Sequence, residues 1–254
     1  MSGHSKWAQI KRQKGANDVK RGAIFTKLGR EITIAARDGG GDPNANFRLR
    51  LAIQRARENN MPMDNIERAI KRGTGGGEGI TLEEITYEGY GTGGAASLVE
   101  AMTDNRNRAA GEIRSVFTRS GGALGEAGCV GWLFDSKGVV SIEPGGQDPD
   151  EVALLAIDAG AEDVKIEDGA VEVYTLPGDL EAVRQALEKQ KITVATAEVS
   201  MVPKSTLELD AKAAAQVMKL VERLEELDDV QKVYTNLEVS EEALAEYSAI
   251  GDRR

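Results

Sequence analysis

Hydrolytic or metal-dependent chemistry needs a nucleophile, a base or a set of ligand side chains within reach of one another. This chain is poor in all three. His4 is its only histidine and Cys129 its only cysteine, so no zinc cluster and no Cys–His pair can be assembled from neighbouring positions. C-x-x-C, H-E-x-x-H, G-x-S-x-G and P-loop patterns are all missing. Cys129, set among Gly125, Ala127 and Gly128, reads as a small buried residue. Gly89-Tyr90-Gly91-Thr92-Gly93-Gly94 does satisfy G-x-G-x-x-G. Dinucleotide binding requires a helix directly after that motif, yet Ala96, Leu98 and Glu100 alternate as in a strand. A glycine hairpin with positive φ is the better reading. The chain is read as non-enzymatic, with no cofactor, metal or small-molecule substrate.

Binding chemistry is better supplied. Gly3 to Arg37, GHSKWAQIKRQKGANDVKRGAIFTKLGREITIAAR, holds nine Lys or Arg against Asp18 and Glu31. Through Gly79 the count is sixteen basic against eight acidic residues, whereas the whole chain carries a net −10. So sharp a split fits a basic end that meets a polyanion and an acidic body that resists non-specific adhesion to it. Lys6, Lys11, Arg12, Lys14, Lys20, Arg21, Lys27 and Arg30 are the candidate phosphate contacts, with His4 as one more polar contact. Trp7, interleaved with these cations, can stack on a base or pack on the helices behind it. Asp104-Asn105-Arg106-Asn107-Arg108 is open to two readings: Asp104 caps the helix that follows, or Arg106 and Arg108 form a second phosphate contact.

The elements that must position these residues follow from periodicity. Residues 1–22 hold few large apolar anchors and read as an arm that orders on a partner. Ile24, Leu28, Ile32 and Ala35 recur at helical spacing until Gly39-Gly40-Gly41. Asp42-Pro43 is expected to start a second helix, bearing Leu49, Ile53 and Ala56, and Pro62 a third, closed by Gly73. The glycines from Gly75 to Gly77 mark a boundary. Beyond it, Ile85 to Tyr87 and Ala96 to Glu100 read as strands and Ala109 to Phe117 as a helix. Residues 137–203 spell β-α-β-β-α-β, the order of a ferredoxin-like unit, with Asp168-Gly169 as a hairpin turn. Residues 210–224 read as a helix and 230–234 as a strand, with a last helix over 241–250. A lone α-β pair cannot bury itself, and neither can a β-β-α unit. The economical solution joins them around the intervening segment.

The expected fold is thus α+β and multidomain, with a basic helical domain over 1–79. A discontinuous α+β domain covers 80–134 plus 206–254, and a ferredoxin-like domain over 135–205 is inserted in it. One cysteine fits a reducing cytoplasm, and no apolar run approaches the ~20 residues of a membrane span. A secretory signal is not expected, nor a mitochondrial presequence, since the basic motif already begins at Gly3.

Two stretches also carry a resemblance. GHSKWAQIKRQKGANDVKRGAIFTKLGREI, and YEGYGTGGAASLVEAMTDNRNRAAGEIR from Tyr87 to Arg114, resemble the two signatures of the YebC family. That family includes relatives of the mitochondrial translational activator of cytochrome c oxidase. The resemblance implies a cytoplasmic, DNA-binding transcriptional regulator. For other members it implies a translation factor acting through ribosomal RNA at ribosomes stalled on proline-rich stretches. It also places Arg106 and Arg108 at signature positions.

Overall fold

The computed structural model describes residues 19–75, 82–142, 146–167 and 169–251. The first part is helical. α1 (Val19–Gly39) packs against α2 (Phe47–Glu58) and α3 (Met63–Gly73). Leu28, Ile32, Ala35 and Ala36 meet Leu49, Ile53 and Ile66 in a shared core, and the many alanines there let the helix axes come close. The closest approach is at Gly73, where a Cβ would lie 2.2 Å from the Thr33 carbonyl oxygen. Any larger residue at 73 would push α3 off α1.

The start of α2 differs from the sequence expectation. Asp42 closes a tight turn by accepting the Asn44 N–H at 2.9 Å, and Asn46 is the true cap, accepting the Leu49 N–H at 3.0 Å. The Asn46 amide also donates to the carbonyls of Ala35 and Gly40 at 2.7 and 2.8 Å. One side chain therefore both starts α2 and ties it to the end of α1, which Asp42 could not do.

Two four-stranded antiparallel sheets follow, the α+β arrangement expected. In the first, β1 (Glu83–Tyr90) and β2 (Ala96–Thr103) form a hairpin in register from Glu83↔Thr103 to Tyr90↔Ala96. Its connection carries Gly93 and Gly94 at φ of 70° and 82°, so the glycine-rich motif is a hairpin turn. After α4 (Arg106–Arg119), the short β3 (Ala123–Leu124) adds to β1. The fourth strand, β8 (Val230–Thr235), arrives much later and pairs with β2, giving the order β3-β1-β2-β8. One face of this sheet is covered by α4 and α7 (Ala211–Glu225), around Val99, Ile113, Phe117, Leu220 and Val233. α8 (Glu241–Gly251) lies on α7 through Ala243 and Tyr247.

The second sheet comes from the chain between β3 and α7: β4 (Phe134–Ile142), α5 (Pro149–Asp158), β5 (Asp163–Glu167), β6 (Ala170–Thr175), α6 (Leu180–Lys189) and β7 (Val194–Pro203). The strand order is β5-β6-β4-β7, and all pairs are antiparallel. Alternation decides the faces. Val171 and Val173 join the core under α5 and α6, while Glu172 and Tyr174 take the other side. Phe134 and Met201 of this sheet pack with Ala96, Leu98 and Tyr234 of the first, so the two sheets share a small apolar seam. Ile34, Leu82 and Met102 form another seam between the helices and the first sheet.

Candidate nucleic-acid interface

The sequence-selected residues fall into three groups. His4, Lys6, Trp7, Lys11, Arg12 and Lys14 lie outside the described residues. Lys20 and Arg21 belong to the first turn of α1, with side chains outside the described set. Lys27, Arg30, Arg106 and Arg108 are placed by the structure.

Lys27 and Arg30 point along one side of α1 to the end of α7. Lys27 Nζ donates to the Glu225 carbonyl at 2.5 Å, and Arg30 Nη1 to the Asp228 carbonyl at 2.5 Å. Carbonyls at a helix C-terminus carry partial negative charge, so cations are favoured there. Arg30 also pairs with Asp229 at 2.8 Å. Asp229 is 3% exposed, and the same carboxylate receives Arg108 Nη2 at 2.9 Å and the Thr103 hydroxyl at 2.8 Å. A buried carboxylate needs such neutralisation. Two arginines from separate parts of the chain supply it.

The segment 104–108 is built differently from its expectation. Asn105, not Asp104, caps α4 by accepting the Arg108 N–H at 3.1 Å, and Thr103 Oγ1 accepts the Asn105 N–H at 3.0 Å. Asp104 instead receives Arg108 Nη2 at 2.7 Å, and that hydrogen bond holds its carboxyl below the usual range. Hydrogen bonds from Arg108 to both aspartates hold its guanidinium in the charged form. These contacts are made by Nη2, and the side chain remains 42% exposed. Arg106 is 67% exposed and pairs with Glu83 at 3.2 Å, a surface contact that a phosphate can replace at little cost.

Between α1, α3 and this segment runs a groove of about 410 Å³. Arg30, Arg68 and Arg72 line it together with Phe25, Met61 and Asp104. Arg68 and Arg72 are four residues apart on α3 and stack in one column. Arg68 is steadied by the Asp64 carbonyl at 3.1 Å and by the Asn65 amide oxygen. Arg72 is exposed and has no carboxylate partner among the described residues. The charge pattern of the sequence points to the arm and α1 and does not single out these two. Their i, i+4 spacing is the available signal, and only the packing of α3 shows that it faces Arg30. The groove thus joins the basic helices to the 104–108 segment, two stretches far apart in sequence.

A second cleft, of about 660 Å³, opens where α2, the first sheet and β7 meet. Its charges satisfy one another. Arg48 pairs with Glu84, Arg55 with Glu31 at 3.0 Å and Glu198 at 2.5 Å, and Lys232 with the same Glu198 oxygen at 2.8 Å. Burial pushes the Glu100 carboxyl up, against the opposing pull of Lys232 and the Tyr234 hydroxyl. The cations named here are committed to carboxylates, so this cleft is unsuited to a polyanion.

Two family models match the chain. The family model described as the TACO1/YebC protein N-terminal domain matches residues 5–76, and that of the TACO1/YebC second and third domain matches residues 82–237. The chain belongs to the TACO1/YebC family. A relative from Herpetosiphon aurantiacus, named a probable transcriptional regulatory protein, is 56% identical over 252 residues, covering 99% of this chain and all of the relative. One from Moorella thermoacetica, named in the same way, is 59% identical over 242 residues, covering 94% and 96%. The crystal structure of a conserved hypothetical protein from Aquifex aeolicus is similar with a TM-score of 0.80 at 47% identity, over 88% of this chain and 93% of that one. The groove therefore lies at the junction of the TACO1/YebC N-terminal domain with the residues of the second model. Among the described residues no helix is long and apolar enough to cross a membrane.

Proposed function

We propose that the protein is a non-enzymatic, cytoplasmic regulator of gene expression that works by binding nucleic acid through the basic helical face. The observation that carries this reading is the groove in which the exposed Arg68 and Arg72 stand beside Arg30, whose own charge already answers Asp229, with Arg106 exposed on the 104–108 segment that contributes Asp104 to the lining. Arginine suits phosphate, since its planar fork donates two parallel bonds. The relatives named above are called probable transcriptional regulatory proteins, which supports regulation through DNA.

A specific feature favours a second target, structured RNA of the ribosome. α2 and α3 are joined by four residues, the connection length of a helix-turn-helix. In that motif the first turn of the second helix meets base edges in the major groove. Here that turn offers Met63, Asp64 and Asn65, followed by Glu67, and the first cation comes only at Arg68. A helix that leads with carboxylates is repelled by flanking phosphates. The cations sit instead along a concave groove, which suits an irregular, folded polyanion recognised by shape.

The test is equilibrium binding of the purified protein to mixed-sequence duplex DNAs and to ribosomes in the same buffers, across a salt series. The expected outcome is weak discrimination among duplexes and tighter binding to ribosomes. A single promoter site protected at physiological salt, with competitor DNA present, would restore the sequence-specific repressor.

A further inference from the structure

Outside the groove lining, two aromatic rings stand exposed, Tyr90 at the end of β1 and Trp132 on the turn Gly131–Leu133 that leads into β4. Trp132 is 66% exposed and Tyr90 40% exposed. Both polar tips end on one atom: the Cys129 carbonyl accepts the Tyr90 hydroxyl at 2.9 Å and the Trp132 indole N–H at 3.1 Å. The loop that offers this carbonyl is itself fixed. Glu88, 9% exposed, accepts the backbone N–H groups of Gly128, Val130 and Gly131 at 2.8, 2.7 and 2.6 Å. Lys204 Nζ lies 2.9 Å from the Trp132 carbonyl and is half exposed, beside Asp135 at 3.2 Å.

We infer that Trp132 and Tyr90 form a stacking platform for an unpaired nucleobase of single-stranded RNA, with Lys204 beside it for the adjoining phosphate. An exposed tryptophan on a loose loop would need no explanation. This one is pinned through its ring nitrogen on a loop held by a buried carboxylate, so its orientation is fixed while most of the residue stays exposed. A fixed aromatic face loses little entropy on meeting a second flat ring, and stacking needs no hydrogen-bond donor. The main rival occupant, a proline-rich peptide, presents carbonyls that aromatic grooves usually meet with tyrosine or tryptophan donors. Both donors here are already spent on Cys129. The inference rests on the nucleic-acid reading above and adds to it an interaction that distinguishes single strands from duplexes.

The experiment uses the full chain carrying Trp7→Phe, which leaves Trp132 as the only tryptophan. A short oligoadenylate is titrated in, and a duplex RNA of the same length serves as comparison. Expected is quenching of Trp132 emission by the single strand and not by the duplex. Trp132→Ala, made in the otherwise unaltered chain, should weaken oligoadenylate binding by about 5- to 150-fold. Trp132→Phe, which keeps a ring but loses the N–H that pins it to Cys129, should fall between the wild type and Trp132→Ala, which separates stacking from damage to the loop. Duplex binding should be the same in the unaltered chain, Trp132→Ala and Trp132→Phe. Oligoadenylate binding unaltered in Trp132→Ala, with salt-sensitive duplex binding intact, overturns the platform and leaves the groove standing. Quenching by oligoadenylate without measurable duplex binding leaves the platform standing and removes the groove. Quenching by a proline-rich peptide and not by oligoadenylate transfers the site to peptide recognition and ends the proposal.

Discussion

Arg30 of α1 lies 2.8 Å from Asp229, on the turn that leads into β8. The ion pair joins residues 199 positions apart in the chain, and the same carboxylate holds Arg108 and Thr103. Asp229→Asn leaves two arginines short of a counter-charge at a nearly buried point. Loss of about 1–3 kcal/mol of stability is expected, visible as a lower denaturant midpoint. Because Arg30 also lines the groove, the same substitution should tighten polyanion binding at low salt. A midpoint equal to that of the wild type would show that the junction is held elsewhere.

Arg68→Gln with Arg72→Gln should weaken polyanion binding and flatten its salt dependence. Removing one cation–phosphate pair changes the log–log slope on duplex DNA by about 0.9. Changing Lys11, Arg12 and Lys14 together to Gln should do the same through the arm. The Arg68/Arg72 pair should not move the melting temperature much, because both side chains are exposed and exposed charges contribute little to stability. Equal salt slopes for wild type and the Arg68/Arg72 variant would remove the groove as a binding surface.

Glu88 gives a pH-dependent stability. Burial alone pushes its carboxyl up, but the backbone donors of Gly128, Val130 and Gly131 outweigh that, and the net position is below the ordinary carboxylate range. A folded value below the unfolded one means that the contribution is complete above the unfolded range of about 4.3 and is lost as pH falls through the folded value. Glu88→Gln should be less stable by about 1–3 kcal/mol at neutral pH. Urea midpoints of the two proteins should converge under acid. A gap that stays constant down to acid pH would mean that the carboxylate charge plays no part.

We propose the division of the chain into 1–79, 80–134 plus 206–254, and an inserted 135–205. It is supported by the close ends of the segment: Lys204 N–H donates to the Leu133 carbonyl at 2.8 Å, and Phe134 faces Pro203 in the β4–β7 register. Replacing 135–205 by a short Gly/Ser linker should leave a protein that still unfolds cooperatively, followed by far-UV circular dichroism. A product without any transition would mean one continuous core.

Much of the architecture is legible in the sequence because it rests on local patterns. Leu28, Ile32 and Ala35 mark a helix face, and Val171 and Val173 mark a strand face, by spacing alone. Gly93 and Gly94 announce their turn, since few other residues accept their φ. The helix starts are harder. Asp42 and Asn46, or Asp104 and Asn105, are chemically equivalent caps a few residues apart, and tertiary partners choose between them. Asn46 wins because its amide also reaches Ala35 and Gly40. The site is legible as charge and not as geometry. Nothing local reveals that Arg30 meets Asp229, that Arg72 faces Arg30 across a groove, or that Glu88 closes a loop forty residues away.

The late arrival of β8 bears on how the molecule is made. A ribosome releases β2 well before β8, and everything in the second sheet emerges between them. The second sheet has all of its strands in one continuous stretch and can close while synthesis continues. The first cannot: β2 keeps an open edge, and Asp229 is not yet there to receive Arg30 and Arg108. The chain therefore passes through an interval in which a buried strand offers unpaired backbone to any neighbour, the condition under which nascent proteins aggregate or recruit chaperones. The last fifth of the sequence, from residue 206, acts as the closing piece, and a truncation before Val230 forfeits far more than the residues it removes.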